Sequence, residues 1–293
     1  MTMTRTATAP LLRVDQLRIS VDTNTGPKEL LHGIDLELAH GQTIGLVGES
    51  GSGKSVTCRS IIRLLPAKGH VEGEIIFNDE SVLSMSKQRL AQYRASQTAM
   101  IFQDSRAHIN PVHRIGSFLT EGARQTAGMN KTDATDRART LLQAMGIHDA
   151  DRRLNQYPHE LSGGLLQRVM IAASLMLQPQ LLLADEPTTA LDVTTQEEVM
   201  AILDEQCRER GLAMIFVTHD LDLAAAVCDN LLVMQKGAVV EELAAHEVYE
   251  EAKQDYTKSL LAARLEFAQT ATTAASARRL TRKENGHEPN ADS

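Results

Sequence analysis

The segment Thr43-Ile-Gly-Leu-Val-Gly-Glu-Ser-Gly-Ser-Gly-Lys-Ser-Val56 decides how the rest of the chain must fold. Its first five residues are an apolar run of the length of a buried strand. Residues 54–65 follow as a helix that Pro66 stops, since proline cannot donate to the helical ladder. Between them, Gly48 to Ser55 matches G-x-x-x-x-G-K-[ST] in the strand–loop–helix context that this spacing requires. Glycines let the backbone curl until successive N–H groups converge on one anion, and the helix start adds the positive end of its dipole. The expected phosphate cradle is Gly48, Glu49, Ser50, Gly51, Ser52, Gly53, Lys54, Ser55 and Val56. Lys54 would reach the outer phosphates of a nucleotide, and the Ser55 hydroxyl would ligate Mg²⁺.

Working outward, Leu181-Leu-Leu-Ala-Asp185-Glu186-Pro187 is an apolar strand ending in two carboxylates. Asp185 is expected to hold Mg²⁺ through water, and Glu186 to polarise an attacking water as general base. Asp185 lies 131 residues after Lys54, so the two can meet only through a sheet. Leu161-Ser162-Gly163-Gly164-Leu165-Leu166-Gln167-Arg168 places Ser-Gly-Gly before a long apolar helix, which by itself is an ordinary N-cap pattern. Apolar–polar alternation marks strands at 11–21 and 30–38, with turn residues at 23–29. Further strands are read at 73–77, 180–184 and 213–218, with a hairpin over 231–241 turning at Lys236-Gly237. Residues 85–176 read as mostly helical, most clearly at 132–146 and 160–177, and 195–210 is helical again. Strand–helix alternation on both sides of a helical block implies an α/β sheet with a helical insertion.

Composition narrows the partners. The 293 residues carry 38 acidic and 30 basic side chains, a formal charge of −8, which argues against a nucleic-acid partner. Cys58, Cys207 and Cys228 are too few and too scattered for a disulfide framework or a zinc ribbon, and fit a reducing compartment. The richest apolar stretch, 169–184, is broken by Gln178-Pro179-Gln180, so no membrane span is expected, and MTMTRTATAP lacks the apolar core of a signal peptide. Residues 1–10 read as a flexible start and 267–293, poor in large apolar side chains, as a disordered tail. His108, His113 and His159 lack ligand spacing and read as surface histidines.

The order of these elements carries a resemblance. A phosphate loop, Gln103 at the end of the apolar strand MIFQ, the LSGG stretch, DEPTTALD and His219 after the apolar strand IFVT follow one another at suitable spacing. Over residues 11–266 the chain resembles the ATP-binding subunit of ATP-binding-cassette (ABC) transporters. The resemblance implies a RecA-like P-loop NTPase core with an antiparallel β-subdomain and a helical signature subdomain over about 85–176. It also implies ATP and Mg²⁺ as cofactors, with Ser55, Gln103 and Asp185 as metal ligands. Glu186, His219 and Gln103 would be catalytic, and Ser162, Gly163 and Gly164 would hold the γ-phosphate of ATP bound to the opposite subunit. Ala190-Leu191-Asp192 would couple the two sites of a head-to-tail dimer. Two departures stand out. The position that usually carries an adenine-stacking aromatic is Val21, and the fifth signature position, commonly Gln, is Leu165.

The segment Phe102 to Pro111 resembles the Q-D-P-x-x-x-L-N-P stretch of oligopeptide/dipeptide/nickel import ATPases, with Ser105 replacing Pro. Tyr157-Pro-His-Glu-Leu-Ser-Gly-Gly and Tyr256-Thr-Lys-Ser-Leu-Leu belong to the same resemblance. The Cys-free ending and the Leu-Leu-Gln-Arg variant lean toward nickel or metal-chelate import, with peptide import as the alternative. The implied partners are two transmembrane permeases, a second ATPase (a distinct paralogue or another copy) and an extracytoplasmic solute-binding protein. The implied place is the cytoplasmic face of the cell membrane, held peripherally, with residues 103–128 near the groove for a permease helix. A non-transport ABC ATPase of repair, chromosome or translation type is disfavoured. Only 131 residues separate Lys54 and Asp185, with no heptads or cysteine pairs, and there is a single cassette.

Overall fold

The alternation at the start of the chain builds a curved antiparallel layer. The structure, a computed structural model, describes residues 9–104, 106–188 and 191–262. Strand β1 (Leu12–Thr23) pairs with β2 (Gly26–Leu38) through a two-residue turn, from Leu12 opposite Leu38 to Thr23 opposite Gly26. The inward residues are Leu12, Val14, Leu17 and Ile19, all fully buried. Their spacing slips from even to odd between Val14 and Leu17, because a β-bulge at Asp15–Gln16 inserts an extra residue and puts Gln16 at φ 45°. The sequence reads as unbroken alternation there; the bulge re-aims the second half of the strand so that both halves bury the same face.

Strand β3 (Thr43–Val47) leaves this layer and enters a six-stranded sheet, followed by α1 (Lys54–Ile61). The chain then returns to the first layer as β4 (Gly69–Phe77) and the short β5 (Glu80–Ser81), completing the order β2-β1-β4-β5. Helix α2 (Lys87–Gln92) and one π-helical turn lead to β6 (Thr98–Ile101), which overlaps the apolar strand read at MIFQ and begins two residues before it. The remaining insertion is helical: α3 (Ile115–Thr126), α4 (Lys131–Ala144), α5 (Ala150–Leu154) and α6 (Gly163–Leu175). Strand β7 (Leu181–Asp185), α7 (Val193–Arg210), β8 (Ala213–Thr218), α8 (Leu221–Val227) and the hairpin β9 (Asn230–Gln235) and β10 (Ala238–Ala244) complete the core. Lys236 and Gly237 both take positive φ in that hairpin turn, as read from the sequence.

The sheet order is β10-β9-β3-β8-β7-β6, parallel except at the β10 edge. Helices cover both faces, so the central strands are apolar on both. Leu181, Leu183, Ala213, Ile215 and Val217 pack toward α1 and the antiparallel layer. Leu182, Ala184, Met214 and Phe216 pack with α6 and α7 on the other side. Burying these aliphatic side chains supplies the dominant favourable term of folding, about 25 cal/mol per Å² of apolar surface. The expected boundaries at 10 and 266 and the tail from 267 lie at or outside the limits of the described residues.

The bulge in β1 depends on Gly73. Its φ is +91°, and a Cβ there would stand 2.4 Å from the Gln16 carbonyl oxygen and 2.5 Å from that of Asp15. Both obstacles are backbone. Gly73→Ala should therefore cost about 2 kcal/mol or more, and thermal melting of the purified chain should show a Tm about 5 °C lower or worse.

Candidate functional site

Strand register assembles the site. Val47 pairs with Thr218, Asp185 with Val217, and Ile101 with Ala184. The residues just past these strand ends, Gly48, Glu186, His219 and Gln103, therefore emerge along one edge. Carboxyl ends of parallel strands are where such folds place ligands.

The loop after β3 is built around positions that exclude side chains. Gly48 has φ +145° and a Cβ there would lie 2.2 Å from the Met234 carbonyl oxygen; Gly53 has φ +107° and a Cβ would meet Leu31 at 2.8 Å. The β9–β10 turn supports the loop further, since Gly237 N–H donates to the Ser52 carbonyl at 2.9 Å. Lys54 is buried, and its Nζ donates to the carbonyls of Gly48 at 2.7 Å and Glu49 at 2.8 Å. Desolvation lowers its pKa, while the carboxylates of Glu186, Asp185 and Glu49 act in the opposite sense.

Directly beneath lies Asp185, which is fully buried. Its Oδ1 accepts from Ser55 Oγ at 2.7 Å, and Arg59 approaches Oδ2 at 3.8 Å. Oδ2 has no hydrogen-bond partner, a costly arrangement for a buried carboxylate unless a cation completes it. Burial raises the Asp185 pKa, against the Ser55 hydrogen bond and the Arg59 charge, which lower it. A hydroxyl, one under-satisfied carboxylate and nearby phosphate oxygens form the all-oxygen donor set that Mg²⁺ takes.

Glu186 sits at φ +50°, a conformation costing about 1–3 kcal/mol for a residue with a side chain. Its N–H donates to the Val217 carbonyl at 3.0 Å, which keeps it beside β8. Gln103 Nε2 donates to Glu186 Oε2 at 2.8 Å, and His219 Nδ1 stands 3.6 Å from Glu186 Oε1. The three side chains read as catalytic thus meet around one carboxylate. Asp220 caps α8 immediately after His219, accepting from the N–H groups of Asp222 and Leu223, and so fixes the direction in which the histidine leaves the sheet.

The signature stretch stands elsewhere on the surface. Ser162 is exposed and caps α6, its Oγ accepting from Leu165 N–H at 3.3 Å. Among the described residues, no hydrogen bond joins Ser162, Gly163 or Gly164 to residues 48–56. No Cβ contact would arise at Gly163 within 4 Å, so that backbone faces open space. Leu165, at the usual Gln position, packs against the core instead of presenting a polar group. Ala190 and Ser105 lie outside the described residues, but Asp192 is placed: it caps α7 through Thr195 N–H at 3.1 Å and Thr195 Oγ at 2.7 Å, and those bonds lower its pKa.

Several residues were missed in the sequence. Gln167, buried on α6, donates from Nε2 to the Pro187 carbonyl at 2.6 Å. Arg168 donates to the Met145 carbonyl at 2.7 Å and to Thr195 Oγ1 at 2.8 Å. Two adjacent residues of the signature helix thus hold both ends of the segment that begins after Glu186 and runs past Asp192. A single Gln on an otherwise apolar helix face was the available signal. His108, His113 and His159 are exposed, and His108 stacks on Phe102 with ring centroids 3.9 Å apart.

Comparison with known proteins adds identity to this geometry. The family model described as ABC transporter matches residues 31–189. The oligopeptide transport ATP-binding protein OppD of Salmonella typhimurium is 41% identical over 267 residues, covering 89% of this chain and 80% of that protein. The probable D,D-dipeptide transport ATP-binding protein DdpD of Escherichia coli is 40% identical, covering 87% and 78%. Among solved structures, the dimeric bacterial ABC transporter cassette MJ0796 superposes with a TM-score of 0.73 at 25% identity, over 80% of this chain and 98% of that one. The same cassette is also known as a dimer in a post-hydrolysis state bound to ADP and Pi, with a TM-score of 0.71.

A test follows from the buried carboxylate. Because burial raises its pKa, the folded chain holds the Asp185 proton more readily than the unfolded chain does. Stability is therefore lost as pH rises through the range between the two values, and the ionised group opposes folding at neutral pH. Asp185→Asn should melt at the same temperature as the parent or higher at neutral pH, with a smaller difference in acid. Its magnesium-dependent ATP hydrolysis should fall by about a hundredfold or more. A lower Tm at neutral pH would contradict the electrostatic reading.

Proposed function

Because this chain belongs to the ABC transporter family, and within it to the group of oligopeptide/dipeptide-type import ATPases, we propose that it hydrolyses ATP to drive peptide uptake through separate membrane subunits. The observation that carries the hydrolytic part is the cluster of Gln103, Glu186 and His219 beside Lys54 and Asp185. Backbone N–H groups of residues 50–56 and Lys54 bind the phosphates, and nucleotide competes with the Gly48 and Glu49 carbonyls for the Lys54 ammonium. Ser55, Asp185 and Gln103 would hold Mg²⁺, which neutralises charge on the phosphate oxygens. Glu186 orients water and takes its proton, while Gln103 and His219 hold that carboxylate between them.

The cargo expectation changes. The lean to nickel rested on the Cys-free ending and the Leu-Leu-Gln-Arg variant. The relatives reported above carry oligopeptide and D,D-dipeptide names at 40–41% identity, and no nickel protein is among them, so the peptide alternative fits better. The chemistry of this subunit is indifferent to the solute, which explains why its own residues misled.

The signature backbone, exposed and unlinked to its own phosphate loop, is the half of a site that only a second subunit completes. In the closed assembly Ser162, Gly163 and Gly164 would meet the γ-phosphate bound by the opposite chain, with Asp192 beside the junction. Among the described residues no helix is long and apolar enough to cross a membrane. In the proposed assembly the pathway belongs to separate permease partners, with an extracytoplasmic binding protein delivering solute. The groove lined by Arg106, Ile109, Pro111, Pro158 and His159, beside exposed Val112, is where a permease helix would dock. In this reading the chain sits peripherally on the cytoplasmic face of the membrane.

Glu186→Gln tests the assignment with two readouts. Hydrolysis should fall by roughly 10²–10⁴-fold, while purified protein, alone or with its partner ATPase, should associate on addition of MgATP and not of MgADP. Cells carrying the variant should lose uptake of labelled short peptides and keep uptake of nickel. Full hydrolysis by the variant would remove Glu186 from its role, and loss of nickel uptake alone would return the cargo to a metal.

A further inference from the structure

The motif Tyr256-Thr-Lys-Ser-Leu-Leu lies far from every phosphate-binding residue in sequence, yet it touches the loop. Residues 255–262 are helical, and Tyr256, Leu260 and Leu261 pack on the core with Thr257 fully buried. This inner face brings the Tyr256 hydroxyl to the start of the phosphate loop, where it accepts a hydrogen bond from Glu49 N–H at 3.0 Å. The Glu49 carbonyl meanwhile accepts from Lys54 Nζ at 2.8 Å and from Ser52 N–H at 3.2 Å. The Glu49 residue is thus fastened on one side by the loop lysine and on the other by the end of the chain.

The strap that carries Tyr256 is itself anchored. Glu241 on β10 accepts from Lys253 N–H at 2.6 Å and from Gln254 N–H at 3.3 Å, fixing the two residues before the helix. The turn leading into β10 holds the other side of the loop through Gly237 and Ser52. When a phosphate draws Lys54 away from the Glu49 carbonyl, the bonds left on that residue are the Ser52 N–H to its carbonyl and its own N–H to the Tyr256 hydroxyl, and only the second comes from outside the loop.

We propose that Tyr256 is a positioning residue for nucleotide binding: through its hydroxyl the C-terminal strap, residues 253–257, keeps the entrance of the phosphate loop in its anion-binding shape. The inference rests on the ATPase reading above. It adds a contact from the end of the chain to the nucleotide site, acting through Glu49 and not on the nucleotide itself. Loosening the strap should weaken binding without changing the chemical step, because Glu186, Gln103 and His219 belong to other strands.

Tyr256→Phe removes only the hydroxyl and keeps the ring in the core. In the full-length chain, MgATP and MgADP affinity measured by calorimetry should fall about threefold to tenfold, the worth of one neutral hydrogen bond. KM for ATP should rise by a similar factor, with kcat and Tm close to those of the parent. Glu241→Ala, which frees the strap and leaves the tyrosine, should shift affinity in the same direction. The double variant should be no weaker than the worse single one, since both break the same linkage. Unchanged affinity in Tyr256→Phe, a fall in kcat at constant KM, or additive losses in the double variant would overturn the proposal. A parent chain that binds no nucleotide would instead overturn the ATPase reading.

Discussion

A carboxylate sealed beneath a loop of N–H donors is the constraint from which the rest of the molecule follows. Asp185 sits fully buried at the tip of β7 with one oxygen bonded to Ser55 and the other short of a hydrogen-bond partner. Lys54 above it spends its protons on the loop's own carbonyls. Neither charge is neutralised fully by the chain, and in the proposed reading a magnesium–phosphate unit would supply what both lack. The cost of holding these groups apart from water is met by the aliphatic packing on the two faces of the parallel sheet.

The sheet converts that local chemistry into a site with moving parts. Parallel register puts the strand ends of β3, β6, β7 and β8 in one row, so groups from four distant segments converge without any loop reaching far. The helical insertion carries the signature backbone on α6, whose Gln167 and Arg168 grip both ends of the segment between Glu186 and Thr195. In the proposed assembly, a subunit docking on Ser162 would pull on the same helix that braces the segment after Glu186. Such a linkage would give two composite sites a physical means of sensing each other, by rigid elements packed in discrete arrangements.

Much of this was legible from residue order. Lys54, Ser55, Asp185 and Glu186 are bound to their positions by strand–loop–helix junctions whose spacing has little freedom, and apolar strands ending in charge announce themselves. The apolar run before Gln103 announced β6, whereas the bulge at Asp15–Gln16 was hidden because two polar neighbours look like ordinary alternation. The fastening by Gln167, Arg168 and Tyr256 was illegible for another reason. Their targets are mostly backbone groups, which every residue possesses, with the Thr195 hydroxyl the exception, and Tyr256 finds Glu49 across 207 positions through packing alone. The lean toward nickel rested on the Cys-free ending and the Leu-Leu-Gln-Arg variant, and the relatives' peptide names fit the alternative better.

The most direct test of the account is a structure of the complete transporter trapped with MgATP. The account predicts two nucleotides at the subunit junction, each γ-phosphate lying between Lys54 of one chain and the signature serine of the facing chain, Ser162 where that chain is a second copy, with a metal ion on the free oxygen of Asp185. Nucleotides bound wholly within one chain, with the signature backbone facing solvent and that oxygen still unmatched, would contradict it.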